Sequence, residues 1–267
     1  MNILEEIVAH KRKEVAERKE LYPTRLLEQS VFFETPTVSF KSYLQRDDLT
    51  GIIAEIKRRS PSQGTLHPSV DVEQLSIGYM QAGASALSVL TDEAYFGGSN
   101  KDLEVARKFN FCPILRKDFI IDEYQIIEAR SIGADVILLI ARSLSPEEIA
   151  RLATFAKSIG LEVLLEVHDE DELKRSLHEK VDVVGVNNRN LDDFSVSIER
   201  SHTLAPHIPD EFVKISESGL SSAESIHALK QSGFRGFLIG TSFMKTSQPH
   251  RTCARLIQDV KRLAEEA

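Results

Sequence analysis

Lysine, arginine, carboxylate and amide side chains recur where short apolar segments of this sequence end. They are Glu55, Lys57, Lys117, Glu166, Asn187 and Arg189. Lysines and carboxylates held together can donate, accept and transfer protons, and amide and guanidinium groups can orient a polar substrate. Any one of these residues could be an ordinary surface residue. Because all six lie at the ends of apolar segments, the sequence predicts that they share one catalytic site.

The spacing within the first of these segments, residues 51–57, indicates which way its charges point. Side chains alternate between the faces of a strand, so Glu55 and Lys57 share a face with Ile53. The other face carries only apolar side chains and must pack against helices, so Glu55 and Lys57 point to the centre of the structure. A structural ion pair is the alternative, but burying charges without a function is costly.

Two further segments repeat this arrangement. In the segment that ends at Lys117, the same face continues to Phe119, and this apolar neighbour and a second lysine nearby are expected to lower the pKa of the ammonium. In the segment that contains Glu166, the inward face places that carboxylate at the mouth. Glu162 lies deeper on the same face, where we expect an ion pair at the bottom of the structure.

Two glycine-containing loops, residues 216–220 and 239–242, predict where a phosphate binds. Gly219 precedes a predicted helix, and Gly240 ends an apolar segment. Small residues let backbone N–H groups approach an anion, and a helix start adds partial positive charge. In phosphate-binding α/β barrels the loops after strands seven and eight have this role. Ordinary turn chemistry would also explain either glycine.

Two other loops predict a cover and an apolar wall for the site. Residues 58–64 form a long polar loop with two arginines, which indicates a mobile lid that attracts an anion, or else a solvated surface loop. Residues 92–99 carry an aromatic pair that includes Phe96. These rings would suit a planar apolar part of a substrate, although loop packing alone would also explain them.

The elements that must position these residues form eight strand–helix units. The predicted strands are residues 51–57, 84–91, 112–117, 134–141, 161–167, 181–187, 212–218 and 234–240. Helical patterns lie at residues 72–81, 101–109, 123–131, 146–158, 170–179, 196–204, 223–231 and 251–265. Nearly continuous apolar strands are typical of a parallel sheet covered by helices. The pattern predicts an α/β protein, a (β/α)8 TIM barrel, whose active site lies at the C-terminal ends of the strands.

Residues 1–50 do not fit this repeat and are predicted to be an N-terminal helical extension. Helical patterns at residues 3–19 and 38–44 would cap the barrel or help to cover its mouth. The barrel is assigned to residues 51–267. We expect the barrel and the extension together to form a single domain. A doubly wound open sheet is the alternative fold, but no GxGxxG motif follows the first strand.

Composition restricts the classes of function. The 267 residues are 42% hydrophobic and 28% charged, with a net charge of −8, which argues against nucleic-acid binding. No apolar run approaches the roughly 18 residues of a membrane span, and the charged N-terminus is unlike a secretory signal. Cys112 and Cys253 are the only cysteines, and neither they nor the scattered histidines have metal-ligand spacing. We expect a monomeric cytoplasmic enzyme with no metal, nucleic-acid or membrane partner.

Seven motifs of the chain resemble the indole-3-glycerol phosphate synthase family. They are IAEIKRRSPSQG at 53–64, SVLTDEAYFGGS at 88–99, PILRKDFIIDEYQI at 113–126, LLEVHDEDEL at 164–173, VGVNNRNL at 184–191, ISESGL at 215–220 and FLIGTSFM at 237–244. The AEIK…SPS and LRKDF motifs are highly specific, whereas other phosphate-binding barrels share the ESG and IG pair. The resemblance covers essentially the whole chain, and the length implies the form without a fused isomerase.

The resemblance implies ring closure of 1-(2-carboxyphenylamino)-1-deoxyribulose 5-phosphate, a small phosphorylated substrate, to indole-3-glycerol phosphate, with loss of CO₂ and water and no cofactor. The implied catalytic residues are Lys117 as general acid, Glu166, Lys57, Glu55 and Asn187. Implied substrate contacts are Arg189, Ser218, and an apolar pocket for the anthranilate ring made of Phe96, Phe119 and Leu138. Implied phosphate contacts are Ser60, Gly219, Gly240 and Thr241, which replaces a more usual serine.

Two other functions remain open at this point. One is a different barrel enzyme, such as a lysine Schiff-base aldolase or a sugar-phosphate isomerase. The other is a non-catalytic phosphate-binding barrel that acts as a subunit or regulator. The inward-pointing charges argue against the second, because a protein without catalysis has no reason to keep them buried.

Overall fold

The chain folds into a closed barrel of eight parallel strands, in a computed structural model that describes residues 2–266. Met1 and Ala267, the outer ends of the predicted extension and barrel, lie outside the described residues. The strands, in chain order, are β1 (Ile52–Ile56), β2 (Arg59–Ser60), β3 (Gly64–Thr65), β4 (Ala86–Leu90), β5 (Ile114–Lys117), β6 (Val136–Ile140), β7 (Glu162–Val167), β8 (Val183–Asn187), β9 (Val213–Glu217) and β10 (Gly236–Ile239). All of them except the short pair β2 and β3 belong to the barrel. The barrel order is β1-β10-β9-β8-β7-β6-β5-β4. Closure confirms the predicted (β/α)8 barrel and rules out the open sheet.

Helices alternate with the barrel strands and cover the outside of the barrel, and three further helices, α1 to α3, precede the first strand. They are α1 (Ile3–Leu21), α2 (Thr24–Leu27), α3 (Phe40–Leu44), α4 (Val72–Gln81), α5 (Asn100–Phe109), α6 (Glu123–Ser131), α7 (Pro146–Ser158), α8 (Glu170–Ser176), α9 (Glu199–Leu204), α10 (Ala223–Gln231), α11 (Thr241–Met244) and α12 (Pro249–Glu266). The predicted bounds of α4, α6, α7 and α10 agree to the residue. In α7, for example, Ser145 caps the helix by accepting a hydrogen bond from Glu148 N, and Pro146 fits the first turn. Helices α8 and α9 are shorter than predicted.

Apolar side chains form two layers, one inside the barrel and one between the strands and the helices. Ile52, Ala54 and Ile56 belong to the outer layer, and Ile53 belongs to the inner one. Full burial of each isoleucine contributes roughly 1.5–3 kcal/mol. The predicted orientation of β1 is confirmed, and Glu55, on the face of Ile53, points into the barrel. The inward faces of β5 and β7 are also as predicted.

Helix α3 closes the N-terminal end of the barrel. Its Phe40 and Leu44 are buried in the inner apolar layer. The Glu162 carboxylate, at the start of β7, accepts hydrogen bonds from Ser39 Oγ (2.5 Å) and Lys41 N (2.8 Å). The predicted ion pair for Glu162 is therefore wrong, because the carboxylate binds the first turn of α3 instead.

Helix α1 lies at the opposite end and covers the barrel mouth. Its cavity-facing side chains are Ile3, Leu4 and Ile7. Lys11 of the same helix is buried, and its Nζ lies 2.9 Å from Asp92 Oδ2 and 3.0 Å from Asp118 Oδ1. The two roles considered for the extension are thus divided between α1 at the mouth and α3 at the bottom.

Candidate active site

The C-terminal ends of the barrel strands surround one large cavity at the mouth. Parallel strands end at the same rim, so residues far apart in the sequence meet there. Every residue that the sequence predicted for the site lines this cavity. These residues are Glu55, Lys57, Ser60, Phe96, Lys117, Phe119, Leu138, Glu166, Asn187, Arg189, Ser218, Gly219, Gly240 and Thr241.

Lys117 lies at the centre of a cluster of carboxylates. Its Nζ is 2.7 Å from Glu166 Oε2 and 2.8 Å from Glu217 Oε2. Burial lowers the pKa of Lys117, but attraction to these two carboxylates and to Glu55 outweighs burial and raises the pKa well above its usual value. The expectation that Phe119 and a second lysine lower this pKa is therefore wrong. The ammonium is protonated at neutral pH.

Glu166, at the mouth end of β7, is bound on both carboxylate oxygens. Its Oε2 contacts Lys117 Nζ, and its Oε1 accepts a hydrogen bond from Asn187 Nδ2 at 3.1 Å. Burial raises the pKa of Glu166, but the Lys117 ammonium outweighs burial and lowers it to about 2. Glu166 is therefore ionised at neutral pH.

Glu217 is a further carboxylate of the cluster, and the sequence analysis did not single it out. Its side chain is 2% exposed, and its Oε1 has no hydrogen-bond partner among residues 2–266. Burial raises the pKa of Glu217 to about 7, with help from Glu166 and against the attraction of Lys117. The alternation of side chains along β9 could have indicated that Glu217 points inward. Val213 and Ile215 lie in the inner layer, and Glu217 shares their face.

Two glycines leave room for these carboxylates. A Cβ at Gly185 would lie 2.4 Å from Glu217 Oε1, and a Cβ at Gly240 would lie 2.2 Å from Glu55 Oε1. The Glu55 carboxylate also pairs with Lys57, at 2.5 Å from Oε1 to Nζ. Gly240 was predicted as a phosphate contact. The absence of a side chain there also leaves the space that the carboxylate of the first charged pair occupies.

An apolar wall lies beside the charged cluster. The ring centroids of Phe96 and Phe119 are 5.9 Å apart, with an angle of 38° between the rings. Leu138 is buried in the inner apolar layer, and Phe119 packs against that layer. Helix α1 adds three aliphatic side chains to this wall. Sequence reasoning missed them, because no local pattern indicates which part of the barrel an extension will reach.

The loops after β9 and β10 form a polar end of the cavity. Ser218 and Gly219 both have left-handed backbone conformations, with φ of 70° and 77°, so the chain turns sharply at the rim. Helix α11 begins directly after the glycine that follows β10. Ser242 Oγ donates a hydrogen bond to Leu220 O at 2.9 Å and ties the two loops together. Ser60, from the loop after β1, also faces the cavity.

Arg189 lies on the cavity wall just beyond β8. Its backbone N donates to Asn187 Oδ1 at 3.0 Å, and its guanidinium donates to Phe194 O at 3.0 Å. Phe194 has a φ of 60°, a conformation that is rare for a bulky residue. This strained turn holds the guanidinium at the wall, where one edge is occupied by the protein.

The two arginines after β1 are engaged by the neighbouring loop. Arg58 forms an ion pair with Asp102 and donates to Gly97 O at 3.3 Å. Arg59 donates to Glu93 O at 2.9 Å. Both arginines bind protein acceptors, and neither is among the residues that line the cavity. The anion-attracting lid stays a prediction. The antiparallel pair of β2 and β3, which folds this loop back on itself, was not predicted.

The described residues were also expected to contain no membrane span and no metal site. In residues 2–266, no helix has the length and apolarity needed to cross a membrane. Over the same range, no three His, Cys, Asp or Glu side chains are grouped as metal ligands would be.

Cys112 and Cys253 are buried free thiols, and burial raises the pKa of each to about 12. Neither thiol is therefore a nucleophile at neutral pH.

Comparison with solved structures matches the barrel. A thiamine phosphate pyrophosphorylase from Pyrococcus furiosus superposes with a TM-score of 0.61 and 13% identity, covering 84% of this chain and 99% of that one. A structure described as native KDPGal has a TM-score of 0.55 and 13% identity, covering 80% and 94%. At this level of identity the likeness shows the fold alone.

Comparison of sequences identifies the family. The chain matches the family profile described as "Indole-3-glycerol phosphate synthase" over residues 4–256. It is 46% identical over 260 residues to the protein of that name from Bacteroides thetaiotaomicron, covering 97% of this chain and 99% of that one. The protein of that name from Koribacter versatilis is 43% identical over 256 residues, with 95% and 98% covered. The matched region includes every residue of the cavity except Ile3, and the chain belongs to the indole-3-glycerol phosphate synthase family.

Proposed function

We propose that the protein closes the indole ring of 1-(2-carboxyphenylamino)-1-deoxyribulose 5-phosphate, giving indole-3-glycerol phosphate, CO₂ and water. It acts as a carboxy-lyase of tryptophan biosynthesis. One observation carries this proposal: a single cavity joins an acid–base cluster, an apolar wall and a polar end built from two glycine loops. The substrate has the matching parts, which are an aromatic ring, a ketose and a phosphate.

Ring closure needs a proton donor at the ketose carbonyl, and Lys117 is our candidate. The ring carbon attacks the carbonyl carbon, a C–C bond forms, and the carbonyl oxygen takes a proton from the ammonium. The ring becomes cationic as this bond forms, and the Glu55 and Glu166 carboxylates stabilise that charge. Loss of CO₂ restores the aromatic ring. The new hydroxyl group then leaves as water with a proton from Lys57, and Glu166 accepts the proton that the adjacent CH₂ carbon loses, which completes the indole.

The rest of the cavity binds the two ends of the substrate. The anthranilate ring packs on the apolar wall made by Phe96, Phe119 and Leu138. The phosphate binds at the polar end, near Ser60, Gly219, Gly240 and Thr241. Asn187, Arg189 and Ser218 orient the part between them. Held in this way, the two reacting carbons stay close together, which lowers the entropic part of the barrier.

The main alternative is a lysine Schiff-base enzyme. Such an enzyme needs a neutral amine as nucleophile, whereas the carboxylates around Lys117 raise its pKa and keep it charged. Borohydride added together with substrate discriminates the two chemistries. A Schiff-base enzyme would be inactivated covalently, and the proposed mechanism leaves no adduct to trap.

A direct assay tests the function. Purified protein is mixed with the carboxyphenylamino-deoxyribulose phosphate, and indole fluorescence is followed over time. We expect fluorescence to rise with release of CO₂, and we expect an analogue without the phosphate to bind more weakly. A folded protein that forms no indole product would refute the proposal.

We further propose that the protein works as a monomer in the cytoplasm. The residues that we assign to catalysis and binding all line one cavity of a single chain, an arrangement that suits a monomer. The buried free thiols of Cys112 and Cys253 suit a reducing compartment. Light scattering on the purified protein measures the oligomeric state.

Gly240→Ala is expected to lower kcat/KM by about a hundredfold, the loss that a misplacement of roughly 1 Å causes. The added methyl group would lie 2.2 Å from Glu55 Oε1 and would push the carboxylate and its partner Lys57 out of place. Steady-state kinetics measure the loss. The double variant Gly240→Ala/Glu55→Ala is the control, because it lacks the carboxylate and keeps only the Cβ of residue 55, 3.0 Å from the added methyl group. Its loss should be much smaller than the two single losses combined, and a fully additive loss would contradict this explanation.

The pKa of Glu217, about 7, predicts how activity depends on pH. Above pH 7 the ionised carboxylate holds the Lys117 proton more tightly and repels an anionic substrate, so kcat/KM should fall as pH rises through about 7. Glu217→Gln removes this titration, so its kcat/KM should lack the part of the decline that Glu217 causes. The substrate phosphate titrates in both proteins, so its contribution cancels in the ratio of wild-type to variant kcat/KM. A variant that keeps the wild-type decline would assign the decline to another group.

A further inference from the structure

A second, polar cavity lies beside the active-site cavity, and His168 links the two. Its charged lining comes from the loops after β6, β7 and β8 and from α8 and α9, and includes Arg142, Arg175, Arg200, Asp169, Asp192 and Glu172. His168 also lines this cavity, although only 4% of its surface is exposed. On its other side, His168 approaches Glu166, which lines the active-site cavity.

The His168 ring lies between two carboxylates. Its Nδ1 is 3.1 Å from Glu172 Oε2, and its Nε2 is 3.6 Å from Glu166 Oε1. An ionised carboxylate can only accept a hydrogen bond, so Nδ1 carries a proton toward Glu172. The same Glu172 oxygen accepts a hydrogen bond from the backbone N of His168 at 2.8 Å, which fixes the ring. Nε2 is buried and has no hydrogen-bond partner within the described part of the chain.

The gap between Nε2 and Glu166 Oε1 is suited to one shared proton. Without a proton, two lone pairs face each other, which leaves a buried acceptor unsatisfied. With one proton, on either atom, the contact becomes a hydrogen bond once a small side-chain rotation closes the 3.6 Å separation. Asn187 Nδ2 occupies one lone pair of the same oxygen, at 3.1 Å, and a second lone pair remains for His168.

We propose that His168 is a proton relay between Glu166 and the second cavity, an inference that rests on the proposed function. When Glu166 accepts a proton from the bound substrate, that proton passes to Nε2 as the Nδ1 proton passes to Glu172. One proton leaves the active site, one reaches Glu172 at the second cavity, and the imidazole stays neutral. Return of the proton, or a flip of the ring, restores the starting tautomer.

The cover over the active site gives this relay its purpose. Helix α1 lines the mouth. In the proposed complex, substrate would occupy the cavity beneath it and separate Glu166 from water during the reaction. Glu172 is at the second cavity, where it faces the arginines and carboxylates of that lining. A base that can lose its proton through the wall regains its ionised form while the substrate remains bound.

Three variants test the relay. His168→Ala removes the ring, Glu172→Gln removes the outer acceptor, and Glu170→Gln is a matched control on the same helix, since Glu170 pairs with Lys174 instead. We expect His168→Ala and Glu172→Gln each to lower kcat at least about tenfold with KM little changed, because general acid–base steps contribute ~10²–10⁴-fold. The control should keep wild-type kcat. Added imidazole should raise kcat of His168→Ala only, because Glu172→Gln still has its ring.

Several results would overturn the relay. One is unchanged kcat in both His168→Ala and Glu172→Gln. Another is a loss in His168→Ala that imidazole does not restore, accompanied by a raised KM, which would make His168 a structural support for Glu166. If His168→Ala fails to fold, Glu172→Gln decides the question. A wild-type kcat and a wild-type solvent isotope effect in Glu172→Gln would then overturn the relay. Wild-type protein without synthase activity would refute the proposed function, whereas an active wild type and an equally active His168→Ala would refute only the relay.

Discussion

Lys117→Met is expected to lower kcat by a factor of about 10²–10⁴ while KM changes modestly, since the variant keeps the length of the side chain but has no proton to donate. In the structure the ammonium lies 2.7 Å and 2.8 Å from the carboxylates of Glu166 and Glu217. The variant therefore also removes the cation of this cluster, and the carboxylates should bind a proton in its place. Steady-state kinetics with the ribulose phosphate substrate measure both constants.

Lys117→Arg separates the proton from the charge. Arginine keeps the positive charge between the two carboxylates, but its planar guanidinium fork cannot place a proton where the compact ammonium of Lys117 does. If Lys117 is the general acid, Lys117→Arg should lose nearly as much kcat as Lys117→Met. Near-normal kcat with only a raised KM in Lys117→Met would assign this residue to binding. Lys57 would then be the better candidate for the acid.

The position of the site could be predicted because it depends on local patterns. Alternation in residues 51–57 showed that Glu55 and Lys57 point inward, and the inner apolar layer contains Ile53 of that strand as expected. The rim of a closed parallel barrel then brings the ends of separate strands to one place. For this reason every predicted residue lines the same cavity, although the sequence contained no information on distances.

The partners of these residues could not be predicted, because alternation gives a direction and not a neighbour. Lys117 was expected beside another lysine, and the structure places it between two carboxylates, which reverses the direction of its pKa shift. The Glu162 carboxylate binds α3, and Arg58 binds the loop after β4. Each of these contacts joins segments far apart in the sequence, so no local pattern contains it.

A buried ion cluster fixes α1 and the segment after Lys117 to each other. Lys11 Nζ lies 2.9 Å from Asp92 Oδ2 and 3.0 Å from Asp118 Oδ1, and the Lys11 side chain is 1% exposed. Burial raises the pKa of Asp118, but Lys11 and Arg116 outweigh burial and hold the pKa well below its usual value. Arg116 also pairs with Glu128, at 2.5 Å. The cluster therefore depends on Lys11 for one of its two buried cations.

Lys11→Met is expected to lower the free energy of unfolding by about 3–5 kcal/mol, because removing one partner of a buried ion pair leaves the other uncompensated. Urea unfolding at neutral pH measures this loss, and Lys13→Met, an exposed substitution on the same helix, should change little. The pKa of Asp118 in the folded protein lies below its unfolded value, so the stability it contributes is present at neutral pH and is lost as pH falls. The difference between Lys11→Met and wild type should therefore shrink mainly below about pH 4, as pH falls toward the folded pKa. A difference that stays constant with pH would mean that Lys11 stabilises the protein by packing, and that the carboxylates of Asp92 and Asp118 do not need its charge.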